Sequence, residues 1–223
     1  MKSKKRKAIL VVIIISCLLF LYLFSLEITQ RKLNELGRKA RNREYHKFTL
    51  MDKIFLQVFF RTLIIGGHLL GLKGAAVVFN HYLSGKGEEL IVEPKYFRQS
   101  PVIKEILAQH YQRLRISNRE TKVTKIKVNP ASYGIKDINL FYMMNPFTLN
   151  IRDSLGGDLL FSKYVVNSFI SFYPGKKTYF PFPGKIIVLP SDIGVALKPL
   201  GMGEPFQLKS VWYDTISPGN KTN

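Results

Sequence analysis

The stretch Ala8–Leu26, AILVVIIISCLLFLYLFSL, runs 19 residues without a charged side chain. As an α-helix it would reach about 28 Å at ~1.5 Å per residue, close to the ~30 Å hydrocarbon thickness of a bilayer. A helix satisfies every backbone N–H and C=O internally, as a lipid environment demands. The run therefore predicts a transmembrane helix over 8–26, from which the remaining chain is suspended. Lys2, Lys4, Lys5, Arg6 and Lys7 precede it. By the positive-inside rule, residues 1–7 form a cytoplasmic basic tail and the bulk of the chain lies outside the cytoplasm. The expected localisation is the cell membrane, with a single-pass signal-anchor. Arg31, Lys32, Arg38, Lys39, Arg41 and Arg43 follow on the far side and work against that orientation.

Two other readings of the same run compete. A cleaved signal peptide needs a shorter apolar core and a small-residue cleavage site, and SLEITQ offers none. Ile14–Cys17 fits a loose lipobox, which would make Cys17 a lipidation site. Cleavage there would leave LLFLYLFSL instead of a polar tether, and Cys17 also fits as a small apolar helix residue. As the only cysteine, it excludes an intramolecular disulfide.

The formal net charge is +19, and its distribution narrows the partners. Residues 1–53 hold 13 Lys+Arg against 4 Asp+Glu, and the other 170 residues hold 21 against 11. Both parts are basic, which favours anionic partners. The expected ones are membrane lipid through anionic head groups, an anionic envelope polymer, or another membrane protein. Nucleic acid is disfavoured unless the domain is cytoplasmic. With 16 Phe and 11 Tyr, the chain has enough apolar bulk for a packed core rather than a disordered tail.

Beyond the anchor, residues 27–49 are polar helix formers and predict a basic juxtamembrane stalk. Its Arg38, Lys39, Arg41 and Arg43, with Lys4, Lys5, Arg6 and Lys7, are the candidates for an anionic surface. Thr49 and Asp52 have the spacing of a capping box variant. Residues 50–83 then predict two apolar helices broken near Gly66-Gly67, Gly71 and Gly74. A second crossing at 54–72 is the competing reading, opposed by Gln57, Arg61 and His68. Such a two-span chain would place a basic domain in the cytoplasm. Residues 84–99 predict a turn and a short strand ending at Pro94. Ser100-Pro101 opens a helix in N-cap and N1 positions, with Ile103, Ile106, Leu107, His110 and Leu114 on one face. Residues 50–120 thus form a helical apolar subdomain.

From Thr121 the period changes. Val123, Ile126 and Val128 sit in a Lys-laced run. Phe147, Leu149 and Ile151 alternate, and Phe206, Leu208 and Trp212 alternate with Gln207, Lys209 and Tyr213. Frequent Pro and Gly turns between them predict a mainly antiparallel β-rich domain over 121–223. The expected fold class is α+β: one N-terminal transmembrane helix, then a helical segment packed on a C-terminal mainly antiparallel β domain.

The chemistry is sparse. Lys176, Lys177, Tyr179, Phe180, Phe182 and Lys185 interleave cations with aromatics in a Pro-rich loop, a candidate ligand loop. His68 and His81 lack helical ligand spacing and flanking Cys or carboxylates, so no metal site is named. No Walker loop, G-x-S-x-G, H-E-x-x-H or Cys nucleophile pattern occurs, so no cofactor and no catalytic residue is named. Asp153, Asp158, Asp192, Glu204 and Asp214 are the carboxylates available to a general acid–base pair. Trp212-Tyr213-Asp214, ending a Gly-rich β region, resembles the Tyr-Asp pair in the C-terminal β domain of colicin-M-like lipid II hydrolases. That family also has an Asp two residues before the Tyr and a downstream His-Arg. Here Val211 takes the first position and neither His nor Arg follows, so no activity is carried over. The expected function is an anchored envelope protein with a basic binding domain. An envelope hydrolase using Asp or Glu on a cell-wall or lipid-linked substrate is the alternative. A carboxylate-free basic and aromatic surface would favour binding, and converging carboxylates in a pocket would favour hydrolysis.

Overall fold

A computed structural model describes residues 22, 25–84, 86–117, 123–156, 159–170, 178–182 and 185–216. The chain divides into two compact units: Met1–Lys53 with Tyr173–Leu200, and Ile54–Phe172 with Gly201–Asn223.

In the first unit, residues 25–41 form a helix, α1. Leu26, Leu33, Leu36 and Ala40 recur at helical spacing and are all buried. This segment, expected as a solvated stalk, is an amphipathic helix packed within the unit. A Cβ added to Gly37 would stand 2.7 Å from Pro190 Cβ, so glycine permits a close approach here. A short β-hairpin, β5 (Thr178–Phe182) and β6 (Lys185–Leu189), lies in the same unit. The Gln30 side chain reaches it, donating to Val188 O at 3.0 Å and accepting from Val188 N at 2.7 Å. Helix α7 (Ser191–Ala196) follows, with Ile193 and Ala196 buried.

Helix α2 (Leu50–Leu69) begins with the reciprocal cap that its sequence predicts. Thr49 N donates to Asp52 Oδ2 at 3.0 Å, and Asp52 N donates to Thr49 Oγ1 at 3.1 Å. The helix stops before Gly71, whose φ of 79° suits glycine, and α3 (Lys73–Ser84) begins two residues later.

The expected membrane assignment is corrected here. Among the described residues, no helix is long and apolar enough to cross a membrane. That includes α2, so the competing two-span reading falls as well. The predicted span 8–26 lies outside the described residues except for Tyr22, Ser25 and Leu26. Of these, Leu26 is buried at the start of α1, where protein packing accounts for it. The fold class with a transmembrane helix, and the single-pass localisation with an extracytoplasmic domain, are withdrawn.

The second unit holds a five-stranded sheet in the order β1-β7-β4-β3-β2. Its strands are β1 (Leu90–Ile91), β2 (Val123–Val128), β3 (Phe147–Gly156), β4 (Leu159–Ile170) and β7 (Phe206–Ile216). The sheet is mixed: β1 runs parallel to β7, and the other pairings are antiparallel. The architecture is α+β.

Strand alternation sends Phe147, Leu149, Ile151, Tyr164, Val166, Phe206, Leu208 and Trp212 to one buried face. Helices α4 (Lys95–Arg98) and α5 (Pro101–Ser117) belong to that side. Phe97 stacks on Trp212 with centroids 6.1 Å apart. Ser100 Oγ caps α5 by accepting from Ile103 N at 3.1 Å, and itself donates to Asp137. Helix α6 (Ile138–Met143) meets α3, where Ala75 N donates to Asn139 Oδ1 at 3.1 Å. On the opposite face Lys125, Lys127, Arg152 and Tyr213 are exposed.

Candidate functional site

The register of β2, β3, β4 and β7 places their outward side chains in rows. One row runs Val123, Arg152, Lys163, Tyr213. The next runs Lys125, Asn150, Val165, Val211. A third carries Lys127 and Thr148, with Lys209 at its far end. Neighbouring strands stand about 4.8 Å apart and successive rows about 7 Å, so the three rows cover a patch about 14 Å square.

Five cations therefore share one face: Lys125, Lys127, Arg152, Lys163 and Lys209. Lys125, Lys127 and Arg152 are exposed, and Lys163 and Lys209 are half-exposed. No ion pair is formed by any of the five among the described residues. The two described acids of these strands, Asp153 and Asp214, both fall on the inner face. The nearby Glu93, just past β1, is held by Lys95 at 2.5 Å. Tyr213 is 66% exposed, and Lys163 Nζ lies 5.4 Å from its ring centroid. Unneutralised cations, amide and hydroxyl side chains and an open aromatic ring are thus held on a rigid sheet.

The inner face carries a second polar group. His110 Nε2 lies 3.0 Å from Asp153 Oδ2, and Ser162 Oγ donates to Asp153 Oδ1 at 2.5 Å. All three residues are buried. Beside them Tyr111 and Tyr164 share a hydrogen bond, and Tyr111 donates to Asp214 Oδ2 at 3.5 Å. Arg98 Nη2 closes the group on Asp214 Oδ1 at 2.9 Å. Burial, then the Asp214 charge, pushes the Tyr111 hydroxyl well above its usual range.

Although it contains His, Asp and Ser, this group is wired differently from a nucleophilic relay. There the histidine contacts the hydroxyl and the carboxylate orients the histidine. Here His110 and Ser162 take opposite oxygens of one carboxylate, so His110 is not the base for Ser162. The arrangement satisfies buried polar groups and ties α5 to β3 and β4.

The residues predicted from sequence fall elsewhere. Lys4, Lys5, Arg6, Lys7, Lys176 and Lys177 lie outside the described residues. Arg38 and Arg43 are exposed, and Arg41 pairs with Asp192 at 3.2 Å. Lys39 is committed to Glu35 at 2.8 Å and Asp52 at 3.1 Å. Tyr179 is exposed on β5, and Phe180, Phe182 and Lys185 occupy the same hairpin. Of the candidate carboxylates, Asp153 and Asp214 lie on the inner face on either side of Ser162, and Asp192 belongs to the first unit. Asp158 lies outside the described residues. The outer-face set was not singled out from sequence, although Lys125 and Lys127 alternate in β2 and Lys209 and Tyr213 share the outward phase of β7.

The class the structure defines is an α+β unit with a mixed sheet, helices on one face and a row of cations on the other. Compared with models of known protein families, with curated proteins and with solved structures, the chain matches none.

Proposed function

We propose that this chain is a binding module for a polyanionic chain, engaged by the open face of the five-stranded sheet. The supporting observation is charge placement: five cations without ion pairs, and no described carboxylate from β2, β3, β4 or β7 on that face. Like charges on one surface repel, and no neutralising ion pair relieves them among the described residues. A partner carrying regularly spaced negative charge supplies it. Association would be steered by the field and would weaken steeply as salt rises.

The hydrolase alternative has less support. Asp153 is buried with both oxygens occupied, and Asp214 is held by Arg98 and Tyr111. Neither stands ready as a general acid or base in an open cleft.

Equilibrium binding of long-chain inorganic polyphosphate to the full chain tests the reading. Replacing Lys125, Lys127 and Arg152 by Glu should remove salt-dependent binding. The same reversal at Lys104 and Arg113, exposed on α5, should leave most of it. Equal losses from both variants would overturn the proposal. So would preferential binding to acidic vesicles with no binding to polyphosphate.

A further inference from the structure

Building on the polyanion reading, we infer that the occupant of the outer face is single-stranded nucleic acid, with a base laid on Tyr213 and phosphates on the surrounding cations. A uniform polyanion needs only charge, and this face offers more than charge. Its middle row is nearly uncharged: Asn150, Val165 and Val211 follow Lys125, which sits at the β2 edge. Cations border that strip on both sides, with Arg152 and Lys163 in one row and Lys127 and Lys209 in the other. The bordering rows are about 14 Å apart, and Tyr213 ends the Arg152–Lys163 row, so a strand whose base stacks there can cross the strip to reach Lys127 and Lys209.

The ring-sized contact is present as well. Tyr213 is 66% exposed although it follows the buried Trp212, because strand alternation turns it to the open face. The neighbouring Lys163 ammonium lies 5.4 Å from the ring centroid, close enough to bias its orientation. Stacking on such a ring tolerates any base, whereas the Asn150 amide and Thr148 hydroxyl can donate to and accept from base edges. A duplex hides its bases and offers no ring for Tyr213, so single strands are the form that fits. Two sequence-based objections stood against nucleic acid: the expected extracytoplasmic placement, which is withdrawn, and the lack of an RNP-like or helix-turn-helix pattern, which leaves stacking on Tyr213 and the cation rows as the mode of contact.

The test uses the full chain and fluorescein-labelled oligonucleotides of about 15 nucleotides, within the range of single-strand site sizes. Fluorescence anisotropy should report binding of oligo-dT with a log–log salt slope near −3.5, from five contacts at ~0.7 each. That slope corresponds to a loss of roughly a hundredfold between 50 and 200 mM salt. An abasic oligomer of equal length should bind roughly tenfold more weakly, the lower part of the range for losing one stacked base. Tyr213→Leu should remove that difference, and Tyr213→Phe should keep it. Equal binding of intact and abasic strands, or equal binding of duplex and single strand, would overturn the nucleic-acid inference while leaving the polyanion reading in place. Failure to bind both oligonucleotide and polyphosphate would overturn both.

Discussion

Asp52 is the residue whose removal has the most calculable consequence. Its side chain is 3% exposed and accepts contacts from Lys32 Nζ at 2.7 Å, Lys39 Nζ at 3.1 Å and Thr49 N at 3.0 Å. Burial, the largest influence, pushes its carboxyl up. Lys32, the Thr49 N–H and Lys39 together outweigh burial and hold it at about 2, against an ordinary 3.8. A folded-state value below the unfolded one contributes stability at neutral pH, and that contribution is lost as pH falls from about 4 through 2. At ~1.4 kcal/mol per pH unit, the full contribution is about 2.5 kcal/mol. Asp52→Asn removes the titration, so wild type and variant should converge in acid. Urea denaturation of both, at a series of pH values, should show their stability difference shrinking by about 1.5 kcal/mol between pH 6 and pH 2.5. Titrating groups that do not touch Lys32 or Lys39 cancel in that difference, and Glu35, which pairs with both, is replaced by Gln in both proteins. A gap that stays constant across the series would refute the paired, charged Asp52.

Three further outcomes follow from the same geometry. Asp153→Ala leaves the buried His110 and Ser162 side chains without their acceptor, and should cost about 3–5 kcal/mol in urea denaturation. The double variant His110→Leu/Asp153→Leu should recover much of that, and a cost below about 1 kcal/mol for Asp153→Ala would contradict the network's role. A Cβ on Gly203 would stand 2.7 Å from Tyr82 Cζ and closer still to Cε1, so Gly203→Ala should destabilise by about 1–3 kcal/mol. Tyr82→Ala added to it should relieve the clash, whereas Tyr82→Phe should not. Ser100→Ala removes both the α5 cap and a donor to the buried Asp137, and should cost about 2–4 kcal/mol, measured by the shift in urea midpoint at unchanged m-value.

What could be read in advance followed from local chemistry. The Thr49–Asp52 cap and the Ser100-Pro101 start of α5 each depend on a few neighbouring residues, and spacing alone announces them. Of the glycines expected to break the helices, Gly66, Gly67 and Gly74 lie inside α2 and α3 and only Gly71 falls at the break. The alternations in β3 and β7 likewise separate inward from outward side chains. Pairing between distant segments was hidden. Nothing near Leu90 states that it will lie parallel to Leu208, and that pairing makes the sheet mixed. The polar composition of α1 masks its apolar period, so by sequence alone Leu33 and Leu36 read as part of a stalk. His110 stood in the apolar stripe of α5, and Asp153 stood in the inward phase of Phe147, Leu149 and Ile151. Each interrupts its own pattern, and together these interruptions mark a buried pair that only the fold brings together. The basic face was hidden for the same reason: Lys125, Arg152, Lys163 and Lys209 come from four strands, and only register makes them neighbours.

The central claim is that the outer face of the sheet is the contact surface. Lysine acetylation of the full chain, read by mass spectrometry with and without saturating polyphosphate, tests it at the level of single side chains. The account predicts protection at Lys125, Lys127, Lys163 and Lys209, with Lys104 on α5 modified equally in both samples. Uniform protection across all lysines, or protection that spares these four, would contradict it.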